Sequence, residues 1–294
     1  MFKRALLSTL SLALGVTLTT GGVAAAQSNP AAHNHNQSTF FAATLAGASE
    51  VPAADPAGSG RAIIRVTGTQ VCFAENWSHL TGPTASHIHN AGAGVAGPVV
   101  VPLFAGAVPD SITAITGCTT GDAATLAAIK ANPANFYVNI HTPLFPAGAA
   151  RGQLHRVHES IDLDTEFFGA NFAAVAKGAN EVPTPGAPDG RAIALFHINS
   201  DSVRFAITWR NIMPPFAAHI HSGAAGVAGP VVVPFFATAT HAGLPPTING
   251  IAGSVTAASD LLAQIRQHPS AFYFNMHTAD FPGGVTRGQL FHAG

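Results

Sequence analysis

From Phe40 onward the chain is a succession of short apolar runs broken by glycine, proline and asparagine, and the clearest of them alternates apolar with polar residues at period two. That run is Val203-Arg204-Phe205-Ala206-Ile207-Thr208-Trp209, the pattern of a half-buried strand. Similar reasoning predicts strands over 41–45, 60–66, 71–74 and 136–141, and again over 172–175, 190–196, 203–209 and 272–277. Helical spacing occurs only over 121–131 and 259–267. Ser259 and Asp260 suit the start of the second, and Pro133 and Pro269 stop both. Many short strands with tight turns and one small helix per half predict an all-β protein built from β-sandwiches.

The pattern occurs twice. Ser86-His87-Ile88-His89 is followed by Gly97-Pro98-Val99-Val100-Val101-Pro102, and Ala218-His219-Ile220-His221 by Gly229-Pro230-Val231-Val232-Val233-Pro234. A third histidine follows in each half, His141 in Asn-Ile-His-Thr and His277 in Asn-Met-His-Thr, then Arg151 and Arg287 in Arg-Gly-Gln-Leu. The duplication implies two tandem domains, 39–157 and 169–293, joined by a linker over 158–168 that holds Glu159, Asp162, Asp164 and Glu166.

Composition sharpens this picture. Only 9% of the 294 residues are charged, and net charge is -1. The 13 basic residues are scattered along the sequence, which gives no footprint for nucleic acid or an anionic membrane. Lys3 and Arg4, an apolar run from Ala5 to about Leu18, and Ala24-Ala25-Ala26 form the pattern of an export signal over 1–26. A polar lead over 27–38 precedes the first strand. The apolar run is shorter than the ~20 residues of a spanning helix, so a secreted or periplasmic protein with no membrane span in its mature chain is expected.

The two cysteines fit such a compartment. Aligning the halves places Arg204 opposite Cys72 and Ser254 opposite Cys118, so the second half lacks both at once, as it would for a bonded pair. A disulfide between Cys72 and Cys118 is expected, the alternative being two buried free thiols.

On a strand, residues i and i+2 point to one face roughly 6.5–7 Å apart, so His87 and His89 can converge on one ion, with His141 supplied by a neighbouring strand. His219, His221 and His277 repeat the set. Three imidazoles without a repeated cysteine, methionine or carboxylate suit copper, with zinc as the alternative, and leave a coordination position open. Histidines hydrogen-bonded to loops are the competing reading. Arg151 and Arg287 have two readings as well: pairing with Glu50 and Glu181 of the repeated Glu-Val-Pro turns, or steering an anion toward the metal.

The ordered set Gly-x-x-Glu-Val-Pro, Ser/Ala-His-Ile-His, Gly-Pro-Val-Val, Tyr-Val/Phe-Asn-Ile/Met-His-Thr and Arg-Gly-Gln-Leu, present twice, resembles the CHRD domain, a module also found in chordin. The resemblance implies an immunoglobulin-like β-sandwich in an extracellular setting. A more distant similarity is to copper/zinc superoxide dismutase, a β-sandwich with a His-x-His copper strand, a later Val-His strand and a downstream arginine that guides superoxide. By that analogy His87, His89 and His141, and His219, His221 and His277, are copper ligands, with Arg151 and Arg287 as guides. No zinc loop is recognisable, so the analogy implies a copper-only site. Three functions follow as expectations: an exported copper protein that dismutates superoxide, a non-enzymatic binding or adhesion module whose histidines are structural, or metal sequestration without turnover.

Overall fold

The computed structural model describes residues 38–157 and 169–293. The expected export signal, nearly all of the lead and the acidic linker lie outside the described residues. Among those described, no helix is long and apolar enough to cross a membrane.

The first repeat runs β1 (Thr39–Ala46), β2 (Ser59–Thr67), β3 (Gln70–Ser78), β4 (Ala85–Asn90), β5 (Val99–Ala105), β6 (Ile112–Thr120), α1 (Ala123–Ala131), β7 (Phe136–His141), β8 (Ala150–Gln153) and β9 (His155–Val157). The second runs β10 (Phe172–Lys177), β11 (Arg191–Ile198), β12 (Ser202–Arg210), β13 (Ala217–Ser222), β14 (Val231–Ala237), β15 (Ile248–Thr256), α2 (Ser259–Gln267), β16 (Phe272–Thr278) and β17 (Phe281–His292). The protein is thus all-β with one short helix per repeat. Asp122 caps α1 by accepting from the Thr125 amide at 2.9 Å. Its counterpart at α2 is Ala258, so Ser259 is the first helical residue rather than the cap.

Each repeat folds as two antiparallel layers. In the first, β9 and β2 flank β1, and β3 and β6 follow; the second layer is β5, β4, β7 and β8. In the second repeat β17 is long enough to pair with β10 in one layer and β16 in the other. Inward side chains from both layers interdigitate: the Phe196 ring of β11 lies 5.3 Å from Phe235 of β14 and 6.0 Å from Phe274 of β16. Each such fully buried side chain contributes roughly 1.5–3 kcal/mol. The free edges of the second layers, β5 and β14, carry Pro102 and Pro234, which offer no N–H to an incoming strand.

The repeats are not beads on a string. β6 pairs antiparallel with β15, its own counterpart, with Ile115 opposite Ile251 and Ala114 opposite Ala252. Equivalent residues face one another about Ile115 and Ile251, as at a two-fold interface. The two first layers therefore merge into one continuous sheet, with the Cys118 amide donating to Thr247 O at 3.0 Å.

Cys72 and Cys118 sit directly opposite on β3 and β6 and are disulfide-bonded. Arg204 and Ser254 occupy the same cross-strand pair in the second repeat, so the alignment that singled out the cysteines matches the strand pairing. His79, which has no histidine counterpart, and Asn211 both take positive φ, 62° and 58°, at the same turn in the two repeats.

One core position departs from the apolar pattern. Glu75, 2% exposed, points inward from β3 and accepts from Ser86 Oγ at 2.7 Å, while its Oε2 has no partner. Aligned with it in repeat two are Ile207 and Ala218. Burial pushes the Glu75 carboxyl up to about 8, only partly offset by the Ser86 hydrogen bond. The fold therefore holds a proton that the unfolded chain releases above about 4.5, so stability falls as pH rises toward 8. In Glu75→Gln, the decline in melting temperature between pH 7 and 8.5 should be shallower than in the parent; an unchanged slope would remove Glu75 as its source.

Candidate metal centres

The pleat of β4 sends Ile88 into the core and His87 and His89 to the opposite face of the layer. β7 lies antiparallel beside it, with Asn139 opposite His87 and Tyr137 opposite His89, so His141 reaches His87 on the diagonal. β13 and β16 repeat the arrangement, with Asn275 opposite His219 and Tyr273 opposite His221.

The ligating atoms of His87, His89 and His141 lie within 4.8 Å of one another, as do those of His219, His221 and His277. His87 Nδ1 is 3.0 Å from His141 Nε2, and His219 Nδ1 is 3.1 Å from His277 Nε2. Backbone carbonyls set the tautomers. His89 Nδ1 lies 2.9 Å from Gly97 O and His141 Nδ1 lies 3.0 Å from Pro146 O. A carbonyl only accepts, so each Nδ1 carries the proton and each Nε2 presents a lone pair to the centre. His221 with Gly229 O and His277 with Pro282 O do the same. Nε2 of His89 and of His221 are buried without a hydrogen-bond partner, an orphaned acceptor in each centre.

Three imidazoles around one ion at ~2.0–2.1 Å would place their nitrogens about 3.3–3.6 Å apart. The 3.0 and 3.1 Å pairs and the 4.8 Å limit on the whole of each set are compatible with that value, so the donor set fits a divalent or monovalent first-row metal. Burial, followed by the neighbouring imidazoles, pulls His87 down to about 4 and His219 to about 3. Burial also lowers His89, His141, His221 and His277, against hydrogen bonds to the carbonyls that raise them. All six are neutral at pH 7, the form a metal requires.

A stack of side chains supports each centre. His89 lies on Tyr137 with ring centroids 4.8 Å apart and 10° between planes, and the Arg151 guanidinium lies 3.5 Å over the other side of the phenol. His221, Tyr273 and Arg287 repeat this at 4.8 Å, 12° and 3.5 Å. Arg151 donates to Val95 O and Gly92 O, and Gln153 to Ala91 O, strapping down the loop that presents Gly97. Arg287 holds Ala224 O and Val227 O in the same way. Gly97 must be glycine: a Cβ there would stand 2.2 Å from Asn90 O.

Of the two sequence readings of the arginines, neither describes these contacts. Steering an anion needs a guanidinium at the surface, and Arg151 and Arg287 are 2% and 1% exposed. The carboxylates expected to pair with them accept instead from amides, Glu50 from Asn139 Nδ2 at 2.9 and 3.1 Å and Glu181 from Asn275 Nδ2 at 3.0 Å. Burial raises Glu50 and Glu181 to about 7, and the arginines only moderate this through space. Tyr137, Asn139, Gln153 and Gly97 were visible in the repeated motifs but had no role assigned from sequence. Their presence in both halves was the available signal.

No curated protein matches the chain. Among protein families, the CHRD domain matches residues 41–154 and again 172–290, so the same family claims both repeats, including all six histidines, both tyrosines and both arginines. The chain is a tandem CHRD-domain protein.

Proposed function

We propose that this is an exported copper protein holding one ion in each repeat, through Nδ1 of His87 and Nε2 of His89 and His141, and through the equivalent atoms of His219, His221 and His277. The observation that carries this reading is the convergence of three neutral imidazoles on one point, with Nε2 of His89 and His221 buried and unpartnered. The all-nitrogen set favours copper over zinc by intrinsic affinity. Bound copper would supply a one-electron couple, and the position left open by three ligands would admit an anion as small as superoxide.

The chain's own residues prepare that centre. Gly97 O and Pro146 O hold the protons of His89 and His141 away from it. His87 carries its proton on Nε2 when Nδ1 ligates, and on Nδ1 when that atom donates to His141 instead. Tyr137 and Arg151 fix the His89 ring plane from behind. The Cys72–Cys118 disulfide supports the export part of the proposal, since such bonds persist outside the reducing cytoplasm.

A second reading, metal holding without turnover, is favoured by one feature: the arginines that would draw an anion in are buried under the binding loops. Superoxide consumption by copper-loaded protein separates the two, and turnover no faster than that of free buffer would leave metal holding as the function.

Titrated with copper, the protein should bind close to two equivalents, and His87→Ala with His89→Ala should remove one while leaving the second. Retention of both equivalents after loss of all six histidines would overturn the metal reading.

Arg151→Gln and Arg287→Gln should keep the stoichiometry but weaken affinity about 10- to 100-fold, because they loosen the loop that orients His89 and His221. Unchanged affinity would show that the strap does not tune the centre.

Protons compete with metal only below the pKa of each ligand. Burial lowers all six imidazoles, His87 to about 4 and His219 to about 3, so the fall in copper affinity should set in below pH 6.5 rather than be centred there. The metal-free fold should lose stability over the same descent, since the unfolded chain takes up protons first. A steep affinity loss centred at pH 6.5 in isothermal titration would contradict burial as the controlling factor.

A further inference from the structure

The basic residues that are scattered in the sequence meet on the outer face of the second repeat. Lys177 of β10 is paired with Arg191 of β11, and Arg191 with Arg210 of β12, so three cations stand side by side across adjacent strands. Like charges directly opposite are destabilising, and among the described residues no salt bridge joins these three cations to a carboxylate. Among the described residues, Arg191 donates to the carbonyls of Pro188 and Gly190. No Asp or Glu occurs in β10, β11, β12, β15 or β17.

Two residues along the same strands, on the same face, the pairing brings Val175 opposite Ile193. Two further along, Ala173 pairs with both Leu195 and Phe291. Val175 is 47%, Ile193 51% and Phe291 46% exposed. Beyond this apolar patch, Arg204 stands opposite His197. The patch is thus bordered by cations on two sides. The corresponding positions of the first repeat are Thr44, Ile63, Arg65 and His155, so the apolar character belongs to the second repeat.

An apolar patch between cationic borders, with no carboxylate on its strands, has the surface chemistry of an interfacial binding site. The geometry points to an anionic lipid surface as its partner: the outer face of the second repeat lies against a bilayer, valine, isoleucine and phenylalanine entering the headgroup layer while Lys177, Arg191, Arg210 and Arg204 meet lipid phosphates. Each basic residue near such a surface strengthens binding about fivefold. The histidine clusters lie on the second layers, and Lys177, the cross-strand partner of Arg287, marks the edge where the two faces meet.

Co-sedimentation of the full chain with phosphatidylglycerol vesicles and with phosphatidylcholine vesicles tests it. The parent should bind the anionic vesicles, lose binding at high salt, and ignore the neutral ones. Lys177→Gln, Arg191→Gln and Arg210→Gln together should weaken binding roughly 100-fold, and Val175→Ser with Ile193→Ser should weaken it about tenfold or more. The variants change side chains that are exposed, or half-buried in the case of Arg191, and an unchanged copper stoichiometry and circular dichroism spectrum would show that they fold. Equal binding to both vesicles, no binding, or capture by soluble dextran sulfate without vesicle binding would overturn the proposal. So would a parent dimer that Val175→Ser with Ile193→Ser dissociates, which would assign the face to a second copy.

Discussion

The hydrogen bonds from His89 and His141, and from His221 and His277, to loop carbonyls are the constraint on which the two histidine clusters depend. Without Gly97 O, His89 would be free to carry its proton on either nitrogen and to turn its ring. With it, the proton is fixed on Nδ1 and Nε2 is left bare inside the protein. The bond exists only because the loop after β4 is held close, and the loop is held by Arg151 and Gln153 from β8. Charge buried under a loop is costly unless it is bonded, and here the guanidinium is bonded to carbonyls and stacked on Tyr137. The arginine thus acts on the histidine through a loop and a phenol rather than through solvent.

The two repeats keep this machinery identical while differing behind it. Glu75 and Ser86 occupy the core of the first, just inside the strand that carries His87, where the second has Ile207 and Ala218. The first has a disulfide across β3 and β6, and the second has Arg204 and Ser254. Phe216 lies 6.0 Å from His277 and 4.3 Å from His241, an aromatic cover whose counterpart in the first repeat is Thr84. The histidines, tyrosine, asparagine and arginine are common to both, so differences in scaffold are tolerated where differences in the centre are absent.

Joining the repeats through β6 and β15 has two effects. It removes an exposed sheet edge from each repeat, which is where unwanted strand pairing begins. It also turns two modest sheets into one broad face, so that side chains distant in sequence become neighbours. The pseudo-two-fold pairing about Ile115 and Ile251 leaves the two three-histidine groups in separate repeats, with no residue in common.

The duplication, the strand character, the one short helix in each repeat and the six histidines were legible in the sequence, because strand periodicity and repeated spacing are local properties and the internal copy filtered coincidence. The disulfide was legible for the same reason: two positions changed together between halves. The arginines were visible but their contacts were not, since nothing local says whether a long side chain turns out to solvent or back under a loop; burial beneath residues 91–97 decided it. The imidazole pKa values likewise depend on burial and on carbonyls brought in by the fold. The cationic face of the second repeat is the clearest case. Lys177, Arg191 and Arg210 are scattered as a sequence, and only antiparallel pairing, which places residues far apart in the chain within one strand spacing, makes them a row.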